Sequence, residues 1–376
     1  MEAVPAEVPD TCRAAVLREF GRPLAVETVP IPRQLEPGAL LVKIECCTLC
    51  GTDVHLVHGK LNRKVELPVI AGHEMTGRVV AKGKDTETDS VGQPLNLGDR
   101  IVWTRTNCGE CYTCTIAKQP TLCPDAKAYM YESMSRAPHL LGGMSEYVYV
   151  FPDSGRVVVP KDISAPIASM TSCAFRSVVH GFAELGTIKQ SDTVVVQGTG
   201  PLGLLAAGLA KLRGARKVIS IGAPNTRLEL VTEFGADLAI SVECSTAEEG
   251  KETVLQHTQG LGADVVMDFA GQPAAFSEGL GLARRGGAYL VVGQLGKGTI
   301  NFRPSEIVHR NLRIVGSLAG GAQDYWEALK LVEAQQQFLP FHKLVSNSYP
   351  LEQANEAIDQ MERMAEIKPV ISMMPE

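Results

Sequence analysis

The apolar strand Thr193–Gln197 runs straight into Gly198-Thr199-Gly200-Pro201-Leu202-Gly203, which opens the helix-like stretch LGLLAAGLAKLRGA. Few short patterns restrict a fold so tightly. The first glycine permits a tight strand-to-helix turn. The second lets backbone approach a pyrophosphate whose charge meets the helix N-terminus, and the third lets helix and strand pack closely. By itself G-x-G-x-x-G also occurs as a ligand-free turn, so the context decides. A second strand, Lys217–Ile221, follows, then helical spacing over Arg227–Phe234. Strand and helix alternate onward through Val265–Phe269, Ala274–Leu282, Ala288–Val292 and Asn311–Val315. This alternation predicts an α/β unit, a doubly wound parallel sheet covered by helices, over residues 166–318, with a dinucleotide as its ligand.

Residues 1–165 have a different texture. Short strands such as Ala39–Cys46, Gly77–Ala81, Arg100–Trp103 and Ser145–Val150 are broken by Gly and Pro, the pattern of a small, irregular β domain. The final segment, 319–376, is too small for a core of its own. Its Leu351, Ala354, Ala357, Ile358 and Met361 share one helical face and Pro369–Met373 reads as a closing strand, so it is expected to pack back on the β domain.

A length of 376 residues suits two domains, and 45% hydrophobic with 21% charged residues is the balance of an ordinary soluble protein. The net charge of -6 gives no electrostatic case for nucleic acid or an anionic membrane as partner. No apolar run reaches the ~20 residues that span a bilayer. The N-terminal MEAVPAEVPD has neither a basic region nor an apolar one, so a cytoplasmic, reducing location is expected.

In that setting ten cysteines need a reason. Cys108, Cys111, Cys114 and Cys123 form C-x2-C-x2-C-x8-C within a lobe at 104–125. Four thiolates close a tetrahedral shell around Zn²⁺, and a closed shell holds a loop without doing chemistry. A second set is dispersed: Cys50 in C-G-T-D-V-H, His73 in G-H-E-M-T-G, and Cys173. Together these supply the Cys2His set that leaves one position of a catalytic zinc open. Taken singly, Cys173 reads equally well as a small core residue and His73 as a surface or satisfied histidine. Cys46 and Cys47 read as strand residues. At the adenosine end, the strand closes Ser220-Ile221-Gly222-Ala223 with no carboxylate for a ribose, and Arg227 follows, suited to a ribose or a 2′-phosphate.

These four motifs, in this order and spacing, resemble the zinc-containing medium-chain alcohol dehydrogenases over nearly the whole chain. The resemblance implies a Rossmann domain beside a GroES-like β domain, two zinc ions per subunit, NAD or NADP with NAD slightly favoured, and a homodimer or homotetramer. It implies that Cys50, His73 and Cys173 hold the catalytic zinc, with Glu74 behind it and Asp53 orienting His73. Thr52 would accept the substrate hydroxyl proton and His55 would pass it towards solvent. Gly198, Gly200, Pro201, Leu202, Gly203, Gly222 and Arg227 would meet the cofactor, with Ser177, Val292, Ser317 and Ala319 lining the nicotinamide and Lys368 reaching the pyrophosphate.

Some features depart from the family pattern. Gly51 stands where liver-type enzymes carry an arginine, as in the polyol and threonine dehydrogenase branches, yet Cys173 stands where those branches often use Glu. The last gap in the cysteine lobe is one residue longer than usual. The expected substrate is a small alcohol or carbonyl compound, with a secondary, cyclic or aromatic alcohol as the working choice and Thr104, Tyr129, Met130, Tyr131 and Tyr325 as pocket residues. Two rivals are a zinc-ribbon-like binding module, opposed by the acidic charge, and a zinc-free quinone or enone reductase of the same superfold, opposed by the metal ligands.

Overall fold

The computed structural model describes residues 1–294 and 296–373. The chain divides into two compact units. One is Ser177–Leu318 with Gln337–Pro340; the other is Met1–Arg176, Ala319–Gln336 and Phe341–Glu376.

In the first of these, six strands form one parallel sheet. Their spatial order is Leu238–Ser241, Lys217–Gly222, Thr193–Gln197, Ala263–Asp268, Ala283–Val291 and Arg313–Gly316. Counted along the chain this is 3-2-1-4-5-6, the doubly wound Rossmann order. Val194, Val195 and Val196 are all fully buried, because a strand covered on both faces is apolar throughout instead of alternating. The helix Pro201–Leu212 begins with proline in its first turn, where the missing N–H costs nothing. The strand expected at Ala288–Val292 runs from Ala283 to Val291. Arg284-Arg285-Gly286-Gly287 interrupts the apolar pattern, but an irregular register between Ala263 and Val265 of the neighbouring strand absorbs the segment into the sheet.

The other unit is built on a mixed sheet in the order Ser154–Val158, Arg100–Thr106, Glu74–Lys82, Leu40–Thr48, Lys368–Ser372 and Val345–Pro350, with Tyr147–Val150 also pairing to Leu40–Thr48. A smaller sheet joins Ala25–Pro30, Thr11–Leu17 and Val69–Ile70. Leu40, Leu41, Val42 and Ile44 are fully buried, so Leu40–Thr48 is the central strand that the smaller elements cover. The C-terminal strand lies antiparallel to it, Val370 opposite Thr48 and Ile371 opposite Cys47. The helix Ala354–Glu362 buries Ala354, Ala357 and Ile358, members of the apolar face legible in the sequence.

One element has no counterpart in the periodicity. A helix Ala165–Met170 passes into a π-helical turn, Thr171–Phe175. Such turns are rare and favour functional sites; this one carries Cys173. Among the described residues no helix is long and apolar enough to cross a membrane.

Candidate active site

The strand Leu40–Thr48 delivers the chain to Cys50, which caps the short helix Gly51–Val57. Its Sγ accepts from Thr52 N at 3.3 Å, and Asp53 Oδ2 accepts from Cys50 N at 2.9 Å. His73 stands immediately before the strand Glu74–Lys82, and Glu74 pairs with Thr48 across the ladder. Ser169 and Ser172 tie the segment carrying Cys173 to this strand: Ser169 Oγ donates to Glu74 O at 2.8 Å, and Ser172 Oγ accepts from Met75 N at 3.0 Å. The result is convergence from three distant segments. Ligand atoms of Cys50, His73, Glu74 and Cys173 all lie within 4.8 Å of one another, and Cys50 Sγ is 3.4 Å from His73 Nε2. On the far side of the imidazole, Nδ1 faces the fully buried Asp53 Oδ1 at 3.4 Å. A carboxylate there turns Nε2 towards a metal.

The electrostatics agree with the donor chemistry. Hydrogen bonding to Cys173 and burial push the Cys50 thiol up to about 12, while the same hydrogen bond holds Cys173 well below the usual thiol range. Burial alone would depress His73, but Cys50, Asp53 and Cys173 outweigh it and raise it well above its ordinary value. Two thiols and a carboxylate-backed imidazole thus meet at one largely buried point. Two thiols and an imidazole are a zinc donor set.

The second cluster is local. Cys108, Cys111, Cys114 and Cys123 bring their sulfurs within 4.8 Å of one another, with Cys123 Sγ at 3.6 Å from Cys108 Sγ and 4.0 Å from Cys111 Sγ. A tetrahedron with Zn–S bonds of ~2.3 Å has S···S edges of about 3.8 Å, close to both of these distances. Backbone N–H groups of Cys108 and Cys111 donate to Cys123 and Cys108 sulfur at 3.4 and 3.3 Å, as suits thiolates.

In the Rossmann unit the glycine turn follows steric necessity. Gly198 has φ +101, and a Cβ on Gly203 would lie 1.8 Å from Gly198 O, whereas one on Gly200 would meet nothing within 4 Å. The open space at Gly200 is the place where backbone can meet a phosphate. Pro201 is buried and Leu202 half-buried in the first turn of the helix. Ser177 is buried, and Val292 and Ser317 follow the carboxyl ends of Ala283–Val291 and Arg313–Gly316, with Ser317 N donating to Val291 O at 3.1 Å. Ligands of open α/β sheets bind at such strand ends. Ala319, at φ +66, belongs to the other unit.

A family model described as the alcohol dehydrogenase GroES-like domain matches residues 36–161, and one described as zinc-binding dehydrogenase matches residues 201–334. The chain is 32% identical over 367 residues to the 5-exo-hydroxycamphor dehydrogenase of Pseudomonas putida, covering 96% of this chain and 98% of that one. It superposes on an alcohol dehydrogenase from Thermotoga maritima with a TM-score of 0.89 at 33% identity, covering 96% and 99% of the two chains. A protein from Sinorhizobium meliloti solved with NADP bound gives a TM-score of 0.82 at 28% identity, covering 97% and 100%. The chain belongs to the zinc-containing medium-chain alcohol dehydrogenase family.

Within this alcohol dehydrogenase, two sequence expectations need correction. Lys368 does not extend towards a cofactor: its side chain has no exposure, and Nζ lies 2.5 Å from Glu74 Oε2 and 2.8 Å from Leu49 O. Thr48 Oγ1 donates to the same Glu74 oxygen at 2.7 Å. Burial nevertheless raises Glu74 to about 7, against the pull of Lys368. At the adenosine end, Gly222 is more than a missing carboxylate. A Cβ there would lie 2.6 Å from Thr199 Oγ1 and 2.8 Å from Thr199 N, so the packing of the glycine turn against this strand demands glycine. Arg227 is only 7% exposed, buried instead of displayed. Thr104, Tyr129 and Met130 are buried. Thr104 Oγ1 is spent on Arg105 O and Gly155 N, and Tyr129 Oη on Ser154 Oγ and Phe151 N. Tyr131 and Tyr325 lie within electrostatic range of His73. Sequence reasoning also missed Ser169, Ser172 and Thr48, whose roles depend on contacts between segments and leave no mark on spacing.

Proposed function

We propose that this dehydrogenase carries one catalytic and one structural zinc per chain and transfers hydride reversibly between a secondary alcohol and NAD or NADP. The observation that carries the reading is the convergence of Cys50, His73 and Cys173, with Asp53 behind the imidazole. When bound, zinc supplies Lewis acidity towards the alcohol hydroxyl and the nicotinamide accepts the hydride. Cys50, His73 and Cys173 hold the metal and Asp53 fixes the His73 tautomer. Glu74 Oε2 is held by Lys368 and Thr48, and its Oε1, unpartnered among the described residues, is the atom that can approach the metal during ligand exchange. Thr52, in the first turn of Gly51–Val57, accepts the hydroxyl proton, and His55, one turn on, passes it to solvent. Cys108, Cys111, Cys114 and Cys123 hold the structural zinc.

The glycine turn receives the pyrophosphate, while Ser177, Val292 and Ser317 receive the nicotinamide. With no carboxylate at Gly222 to repel a 2′-phosphate, both cofactors are used, NAD slightly ahead. The NADP bound by the Sinorhizobium meliloti protein supports the wider usage. The name of the Pseudomonas putida relative, a hydroxycamphor dehydrogenase, supports a cyclic or secondary alcohol. Assembly as a homodimer or homotetramer in the cytoplasm belongs to the same reading.

Elemental analysis and a panel of primary, secondary, cyclic and polyol substrates with each cofactor test it. About two zinc ions per chain and NAD(P)-dependent oxidation are expected. Full activity with one zinc or none would remove the two-site reading.

A further inference from the structure

Arg176 adjoins the Cys50–His73–Cys173 cluster, and two further arginines, Arg105 and Arg63, gather around it and the neighbouring Tyr325 and Tyr131, all within one compact unit. Arg176 follows the π-helical turn that carries Cys173. Its Nε donates to Ser172 O at 3.2 Å, its guanidinium lies 5.6 Å from the centre of the Tyr325 ring, and it is in electrostatic range of Cys173 and Glu74. Arg105 lies near the end of the strand Arg100–Thr106, and its charged neighbours are led by two further cations, Arg63 and Arg176. Arg63 is exposed and covers the Tyr131 ring at 4.6 Å, and Tyr131 in turn feels His73 and Cys50.

The inner two keep unspent donors. Arg105 Nε and Arg176 Nη1 are both buried with no hydrogen-bond partner among the described residues. Guanidinium stays charged in proteins, and a buried charge with unmade hydrogen bonds is costly. Nearby negative charge answers only part of this. Glu74 is paired with Lys368, and the Asp324 carboxylate, in electrostatic range of Arg176, offsets one cation of the three. The thiolates belong to the zinc of the reading above. Positive charge and unpartnered N–H groups are therefore in surplus next to the turn that carries Cys173.

We propose that Arg105 and Arg176, with Arg63 at the rim, form an oxyanion subsite, so that the preferred alcohol carries a carboxylate or phosphate as well as its hydroxyl. The placing of that hydroxyl rests on the zinc dehydrogenase reading. The planar guanidinium fork matches a carboxylate or phosphate bidentately, which selects the group and its distance from the reacting carbon. The same chemistry is offered by a cofactor phosphate, and the test separates the two sources.

The zinc-loaded enzyme is assayed with matched secondary alcohols, 3-hydroxybutyrate and 2-hydroxypropyl phosphate against butan-2-ol, and malonate binding is measured by calorimetry. At least one anionic alcohol is expected to exceed butan-2-ol by about tenfold or more in kcat/KM, and Arg105→Gln and Arg176→Gln each to erase about tenfold of that preference. Arg176→Lys should restore part of it. Malonate should bind wild type and be lost in both Gln variants, while NAD and NADP dissociation constants stay within about threefold. A preference for butan-2-ol, or an anion preference untouched in the variants, overturns the subsite while leaving the dehydrogenase intact. Cofactor binding that weakens in step with malonate assigns the anion to the cofactor and also overturns it. Malonate binding that needs these arginines, without turnover of any alcohol, sustains the subsite and defeats the dehydrogenase reading. If both Gln variants fail to fold, Arg63→Gln decides: a severalfold loss of preference supports the subsite, and none overturns it.

Discussion

Glu74 and Lys368 form an ion pair with no solvent exposure on either side chain, Nζ at 2.5 Å from Oε2. Charges withdrawn from water this completely are tolerable only as a pair. Lys368→Met strands Glu74 beside the thiol cluster and is expected to cost about 3–5 kcal/mol. NAD and NADP dissociation constants should move less than about threefold, because the ammonium is spent within its own unit. Thermal melting and cofactor titration check both parts. Wild-type stability with weakened cofactor binding would restore the pyrophosphate role.

Gly222 packs where a Cβ would meet Thr199 N at 2.8 Å. Gly222→Asp is therefore not a clean change of cofactor preference. Overpacking of this kind costs about 1–3 kcal/mol, and NAD and NADP should weaken together. A variant as stable as wild type whose NAD over NADP ratio in kcat/KM rises about tenfold would show that the strand end gives way.

The two proposed zinc sites should divide stability from turnover. Cys111→Ser opens the closed four-sulfur shell and should lower the melting temperature together with about one zinc per chain. His73→Ala should lower kcat by at least about 100-fold while leaving the fold largely intact. The reverse pattern, an inactive Cys111→Ser with wild-type melting, would exchange the two assignments.

Acid stability should depend on Glu45. It is 8% exposed and bonds Arg78 at 3.0 Å as well as Arg100. Burial raises its carboxyl, but Arg100 and Arg78 outweigh burial and hold it below the usual range. A depressed folded-state pKa stabilises above the unfolded value of about 4.3, and the contribution is lost as pH falls through the folded value. Glu45→Gln should cost ~2–3 kcal/mol at neutral pH, less than a fully buried pair because Arg78 is half-exposed. The difference from wild type should shrink below that pH. Melting curves from pH 7 to 3 check this, and a constant difference would remove the pair from the account.

What the sequence determined by itself is whatever depends on local order along the chain. The Val194–Gln197 strand, the glycine turn and the following strands are legible because periodicity and turn chemistry act over a few residues. The cage of Cys108, Cys111, Cys114 and Cys123 is legible because one loop supplies every sulfur. Tertiary structure decided the matters in which distant segments compete for the same space or charge. Lys368 turns inward because Glu74 needs a counterion more than the surface needs a cation. Gly222 is bare because Thr199 leaves no room. Thr104, Tyr129 and Met130 are buried because the sheet closes over them. The grouping of Arg63, Arg105 and Arg176 left no trace in spacing. Burial and pairing are properties of neighbours brought together by folding, and no one-dimensional pattern encodes them.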